Sequence, residues 1–249
     1  MLLTVVADYG VGDLAFAEVR QRFATLLPQA QVTDLPVRPF DTVGAGFCVA
    51  QLALGDGPGD RIVYANVAPR QDEADARTDN AGEPLAAARL ASGALVVGVA
   101  AGATMSFLAG AGVPVRAVKV ADCGSQFRSR DVFPAAVAAL ARGDDLLGVE
   151  LAVPPAPERA VVWTDGYGNL KTSWHEPPAP VGSTVRVRIG AATAEATVTD
   201  GVFAVPAGRM SFAPGSSGWG RPFYELLLRG GDAAALLGRP PNGTPVDVM

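Results

Sequence analysis

Three side chains of different chemistry fall two residues apart in one short stretch: Asp165, Tyr167 and Asn169, with Gly166 and Gly168 between them. A carboxylate accepts hydrogen bonds, an aromatic ring offers a flat apolar face, and a side-chain amide both donates and accepts. In a strand, residues two apart share a face, so the three are expected to converge on one ligand. The competing reading is a turn in which Asn and Gly supply positive φ. Asp8, after the first apolar run, poses the same choice between a ligand contact and a turn or cap. Arg70 and Arg128 are the other candidates. A guanidinium can hold an oxyanion bidentately. In a solvated loop, Arg70 would instead pair with Asp72 or Glu73. Arg130 is expected to pair with Asp131 or Asp122.

The composition limits what such a site can serve. At 249 residues, 49% hydrophobic and 18% charged, the chain is a folded globule with room for one large or two small domains. A net charge of −5 argues against nucleic acid, because phosphate binding needs a basic surface. No apolar run reaches membrane-spanning length, so no membrane partner is expected. The opening Met1-Leu2-Leu3-Thr4-Val5-Val6-Ala7 lacks a basic leader and runs into Asp8, so it reads as a strand and not a signal peptide. The two cysteines, Cys48 and Cys123, make no framework, which suggests reduced thiols in the cytoplasm. One histidine, His175, and no cysteine pair at ligand spacing predict no metal site. His175 itself is expected in a surface loop, and Trp219 in a core or interface.

Positioning these residues requires two textures of chain. Up to residue 150, short β-branched runs alternate with amphipathic ones. Strands are expected at 2–7, 31–35, 61–67, 94–99 and 115–120. Helices are expected at 13–27, with Phe16, Val19, Phe23 and Leu26 inward, at 42–54 behind an Asp41 cap, at 103–109, and at 131–142. That alternation predicts an α/β domain with a mostly parallel sheet. Residues 151–158 are a proline-rich linker. From 159 to 249 come short strands at 160–163, 170–173, 184–189, 194–198, 201–205 and 223–228, then a short helix at 232–237. These predict a smaller antiparallel, β-barrel-like domain that completes the site. Residues 71–83 read as an exposed loop. Gly10-Val11-Gly12 lacks the third glycine of a dinucleotide loop.

Several segments, in order, resemble the S-adenosyl-L-methionine (SAM) hydroxide adenosyltransferases, the SAM hydrolases, whose relatives include the SAM-dependent fluorinase and chlorinase. The opening strand ends Ala7-Asp8-Tyr9-Gly10 with Asp13 following, where the family has T-D-F-G and a nearby Asp. Pro39-Phe40-Asp41 precedes Gly44-Ala45-Gly46. Phe127-Arg128-Ser129-Arg130-Asp131-Val132-Phe133 matches F-x-G-R-D-x-F. Thr164 to Ser173 matches I-D-x-F-G-N-L-x-T-N. Gly215-Ser216-Ser217-Gly218-Trp219 and Gly231 to Gly238 match the closing motifs. The resemblance implies a divergent member of that family, a two-domain subunit of a homotrimer. SAM would be its substrate, with no separate cofactor, and would bind between one subunit's first domain and a neighbour's second. A nucleophile would displace L-methionine at the ribose C5′. Carried over by position, Asp8 would hold the ribose hydroxyls and Phe40 would pack near ribose and adenine. Asp165 would accept from the methionine ammonium, Tyr167 would stack on adenine, Asn169 would bond its edge, and Ser216 would meet the methionine carboxylate.

The chain departs from the family where the chemistry should be. The hydrolase Asp after the third strand is Ala68, followed by Pro69 and Arg70. The hydrolase His and Gly of F-H-G-R-D are Arg128 and Ser129; the fluorinase shares that serine. The family's P-D-N-G reads Val99-Ala100-Ala101-Gly102. Two readings stay open. In one, Arg70, Arg128 and Ser129 form an altered nucleophile pocket. In the other, the chain binds an adenosine-type molecule without turnover.

Overall fold

The computed structural model describes residues 1–67, 69, 75, 82–120 and 125–249. The chain divides into two compact units, Met1–Ala156 and Pro157–Met249.

The first unit runs β1 (Leu2–Ala7), α1 (Leu14–Leu26), β2 (Gln31–Pro36), α2 (Thr42–Leu54), β3 (Ile62–Asn66), β4 (Leu85–Arg89), β5 (Leu95–Val99), α3 (Ser106–Gly110), β6 (Arg116–Val118), α4 (Arg128–Asp131), α5 (Phe133–Arg142) and β7 (Leu147–Glu150). Asp13 starts α1 by accepting from the Ala15 amide at 2.8 Å. Asp41 starts α2 by accepting from Gly44 N at 2.8 Å. Each satisfies one of the amides a helix start leaves open. Leu3, Val5 and Ala7 of β1 form one core cluster with Phe16, Val19 and Phe23 of α1 and Phe133, Val137 and Leu140 of α5. Helix α2 packs with α3, Phe47 edge-on to Phe107 at 6.1 Å.

The sheet order is β2-β1-β3-β5-β4-β6-β7. This overturns the expected mostly parallel sheet. Strands β2, β1, β3 and β5 are parallel, but β4 runs antiparallel to β5 and β6, and β7 antiparallel to β6. The cause is local. Strands β4 and β5 are joined by a tight turn in which Leu90 N donates to Ala94 O at 2.9 Å and Gly93 takes φ +92°. Strands joined by a hairpin must be antiparallel.

The second unit runs β8 (Val161–Thr164), β9 (Leu170–Thr172), β10 (Thr184–Ile189), β11 (Ala192–Val198), β12 (Met210–Trp219), β13 (Arg221–Leu228), α6 (Ala233–Leu236) and β14 (Val246–Val248). Its order is β14-β10-β11-β12-β13-β9-β8. The two outer strands meet through an antiparallel bridge between Ala160 and Pro245. Val161 N donates to Thr244 O at 2.9 Å, and Val246 N to Arg159 O at 2.7 Å. The sheet is therefore nearly closed into a barrel around Val187, Ile189, Val198, Phe212 and Leu226. It is mixed, not purely antiparallel, because β11 and β12 pair in parallel. The expected strand at 201–205 is a 3-10 turn at Val202–Ala204. Thr199 Oγ1 there donates to Gly201 O at 2.8 Å, so a side chain takes the place of a ladder partner.

Candidate functional site

In the first unit, β1 is flanked by β2 on one side and β3 on the other. Successive loops leave the carboxyl ends of these strands in opposite directions, and such a switch point is where open α/β sheets form crevices. Asp8 begins the loop after β1, and Asn66 ends β3. Asp8 Oδ2 accepts from the Phe40 amide at 2.9 Å. Phe40 sits at φ +61°, a left-handed conformation that costs a bulky residue about 1–3 kcal/mol. Its ring is 62% exposed, so burial does not repay that cost. An inverse γ-turn at Asp41, with Thr42 N donating to Phe40 O at 3.0 Å, leads directly into α2. The Asp8 carboxylate and the α2 start thus hold an aromatic ring in solvent at the mouth of the sheet.

Behind Asp8, the Tyr9 hydroxyl donates to Ser129 Oγ at 2.7 Å, and Tyr64 donates to the Ser129 carbonyl at 3.0 Å. Burial pushes the Tyr9 phenol well above its usual value and the Asp8 charge adds to this, while hydrogen bonds to Ser129 and Asn66 oppose it. Tyr9 therefore stays protonated and must donate. Ser129, itself buried, accepts with Oγ and keeps its own proton to give. Arg128, the preceding residue, lies with its guanidinium carbon 4.7 Å from the Phe133 ring centroid and Nη1 3.5 Å from Glu83 O. Glu83, at the end of the expected exposed loop, is buried. Arg130 pairs with Asp131 at 2.6 Å and Glu18 at 2.8 Å. Arg70, Ala68 and Cys123 lie outside the described residues. The structure thus links Asp8, Phe40, Ser129 and Arg128 in one neighbourhood, with Tyr9 and Asn66 as members that sequence reasoning did not single out.

In the second unit, 165–169 is a turn between β8 and β9, so period-two alternation does not govern it. Asp165 Oδ1 accepts from the amides of Tyr167 and Asn169 at 2.9 and 3.0 Å, and Oδ2 accepts from Asn169 Nδ2 at 3.0 Å. Asp165 and Asn169 do meet, but on each other. Tyr167 stands at the tip, 83% exposed. Gly168 has φ +81°, and a Cβ there would overlap the Asp232 carboxylate. The backbone demands glycine twice over.

Ser216 lies in an irregular stretch of β12, where the register with β13 shifts between Pro214 and Gly218. Its amide donates to Glu225 Oε1 at 3.1 Å. The same oxygen takes Lys171 Nζ at 2.6 Å, and Lys171 Nζ stands 3.5 Å from Ser216 Oγ. The Lys171 and Glu225 side chains are 9% and 3% exposed. Sequence reasoning missed this pair, which joins β9 to β13 across distant parts of the chain. His175, expected in a surface loop, is half-buried and stacked 4.1 Å from the Phe223 ring. Trp219 meets the same ring edge-on at 5.0 Å.

Among the described residues, no group of three or more His, Cys, Asp or Glu side chains is placed to hold a metal ion. No helix among them is long and apolar enough to cross a membrane.

Solved structures share this architecture over the whole chain. An uncharacterized conserved protein from Thermotoga maritima superposes with a TM-score of 0.78 at 20% identity, covering 99% of this chain and 100% of that one. A conserved hypothetical protein from Thermus thermophilus superposes with a TM-score of 0.69 at 24% identity, covering 99% of each chain. At these identities the likeness defines the fold alone. No protein-family model and no curated protein matches the chain.

Proposed function

We propose that this chain binds SAM or a related adenosine derivative and promotes nucleophilic substitution at the ribose C5′, giving adenosine or a 5′-substituted adenosine and L-methionine. The observation that carries the reading is the Asp8–Phe40 pair. A carboxylate at the end of β1 holds the amide of an aromatic residue whose strained backbone keeps its ring in solvent. A carboxylate accepts from both hydroxyls of a ribose diol, and a neighbouring ring covers the sugar and base. In the reaction, the nucleophile's electron pair forms the bond to C5′ while the C5′–S pair stays on sulfur. Methionine leaves as a neutral thioether, so the leaving group needs no proton. Placement and water exclusion dominate such a step. When the nucleophile is water, its proton passes to solvent. Tyr9 and Ser129 stand behind Asp8 as a donor chain, and the resemblance assigns the purine and amino-acid contacts to Tyr167, Asn169 and Ser216. The same resemblance supports a homotrimer. The buried, unpaired thiol of Cys48 supports a cytoplasmic location.

A second reading, adenosine binding without turnover, is favoured by two observations. The Asp165 carboxylate is engaged within its own turn, and Arg128 lies against Phe133. Incubating the purified protein with SAM and measuring adenosine and methionine separates the two. Both products at equal yield support substitution. Adenosine binding by calorimetry without products supports the second reading, and neither binding nor products ends both.

A further inference from the structure

The irregular segment of β12 is fastened from beneath by a buried ion pair. Lys171 on β9 and Glu225 on β13 are direct antiparallel partners. Gly215 leaves room for the carboxylate, since a Cβ there would overlap the Glu225 side chain. Glu225 Oε1 then takes both Lys171 Nζ and the Ser216 amide. The Ser216 amide is therefore spent inside the protein, and the residue faces solvent with its hydroxyl alone.

A buried ammonium retains donors beyond its ion-pair bond, because Nζ carries three protons. Ser216 Oγ, 3.5 Å away, lies at the outer limit for one of them. A hydroxyl that faces an ammonium through its oxygen turns its proton away from it, here toward solvent. The nearby positive charge also polarises that O–H and strengthens it as a donor. Glu225 balances the lysine charge, so the device is neutral overall and would favour an acceptor without drawing in stray anions.

We propose that Lys171, neutralised by Glu225, is a positioning residue: it fixes Ser216 as a hydrogen-bond donor to the carboxylate of a ligand's amino-acid end. This rests on the reading of a SAM-type ligand and adds how its amino-acid end is told from a nucleoside lacking one.

The test compares SAM with 5′-methylthioadenosine, which shares the nucleoside and its 5′ sulfur but is a neutral thioether with no sulfonium charge, ammonium or carboxylate, by calorimetry on the full chain. K171M leaves Glu225 buried without its cation and so threatens the fold. The informative variant is therefore K171M/E225Q, where the glutamine oxygen still accepts from the Ser216 amide. Variants whose circular dichroism and melting match the parent are then compared with S216A and K171R. We expect K171M/E225Q and S216A each to weaken SAM about tenfold, the size of one lost charge-assisted hydrogen bond, and to leave methylthioadenosine unchanged. K171R, which keeps the charge, should retain part of the preference. Unchanged SAM affinity, or equal loss for both ligands, overturns the role of Lys171 while the nucleoside reading stands. A parent protein that binds neither ligand overturns both.

Discussion

Asp8 and Phe40, thirty-two residues apart in sequence, are joined by one hydrogen bond in which the carboxylate holds the amide of a residue in a left-handed conformation. The charge and the strain sit together at the switch point of the sheet. Asp8→Asn separates their roles, because an Asn oxygen can still accept from the Phe40 amide. We expect the fold and melting temperature to be kept, and affinity for adenosine to fall about tenfold. Unchanged affinity in a titration would remove Asp8 from the site.

Phe40→Asn tests the strain. Asn tolerates left-handed backbone far better than Phe, and the exposed ring gives up little burial. The variant should be more stable by about 0.5–1 kcal/mol yet bind adenosine more weakly. Chemical denaturation and calorimetry on the same sample measure both. A variant that loses stability and keeps affinity would mean that the ring packs structurally.

Arg61 gathers an unusually dense set of polar contacts in the first unit. Its buried guanidinium donates to the carbonyls of Leu52, Ala53, Gly55, Gly57 and Pro58 at 2.5–3.0 Å, closing the carboxyl end of α2, where cations are favoured. Arg61→Met leaves those carbonyls without their donor and should cost about 3 kcal/mol or more. Urea midpoints read the loss. A change below about 1 kcal/mol would show that water substitutes freely.

His175 gives the chain a simple acid response, because it is the sole histidine. Its Nδ1 is buried without a hydrogen-bond partner among the described residues. Burial first, then the Arg221 charge, lowers its pKa below the ordinary 6.5, while the Pro222 carbonyl and Glu176 oppose this. The folded state therefore prefers the neutral ring. That preference contributes full stability above pH 6.5 and is lost as pH falls through 6.5 toward the folded pKa. His175→Gln should flatten this part of the stability profile between about pH 7.5 and 5. An identical slope in both proteins would assign the loss to carboxylates instead.

The sequence exposed what local chemistry decides. The Asp41 cap fixed the start of α2 at Thr42, and the inward residues Phe16, Val19 and Phe23 of α1 stood at helical spacing. Strand β4, Leu-Ala-Ala-Ala-Arg, did not stand out, because alanine carries no strand preference and leaves no period to read. That strand, together with β7 antiparallel to β6, turns the sheet from parallel to mixed. In the candidate site, Asp8 and Phe40 were legible as separate residues, but their hydrogen bond was not. The Asp165–Asn169 segment was legible as lying between two strands, but its alternating residues suggested a shared face. Gly168 bends it into a turn, and a turn obeys no two-residue period. The Lys171–Glu225 pair left no signal, since only the register of β9 against β13 brings those residues together.

The near-closure of the second sheet also bears on biosynthesis. Arg159 and Val161, at the start of that unit, wait for partners on Val246 and Thr244. A nascent chain emerging from the ribosome carries an open sheet edge until those late residues arrive, and the unit can lock only after nearly all of it has been made.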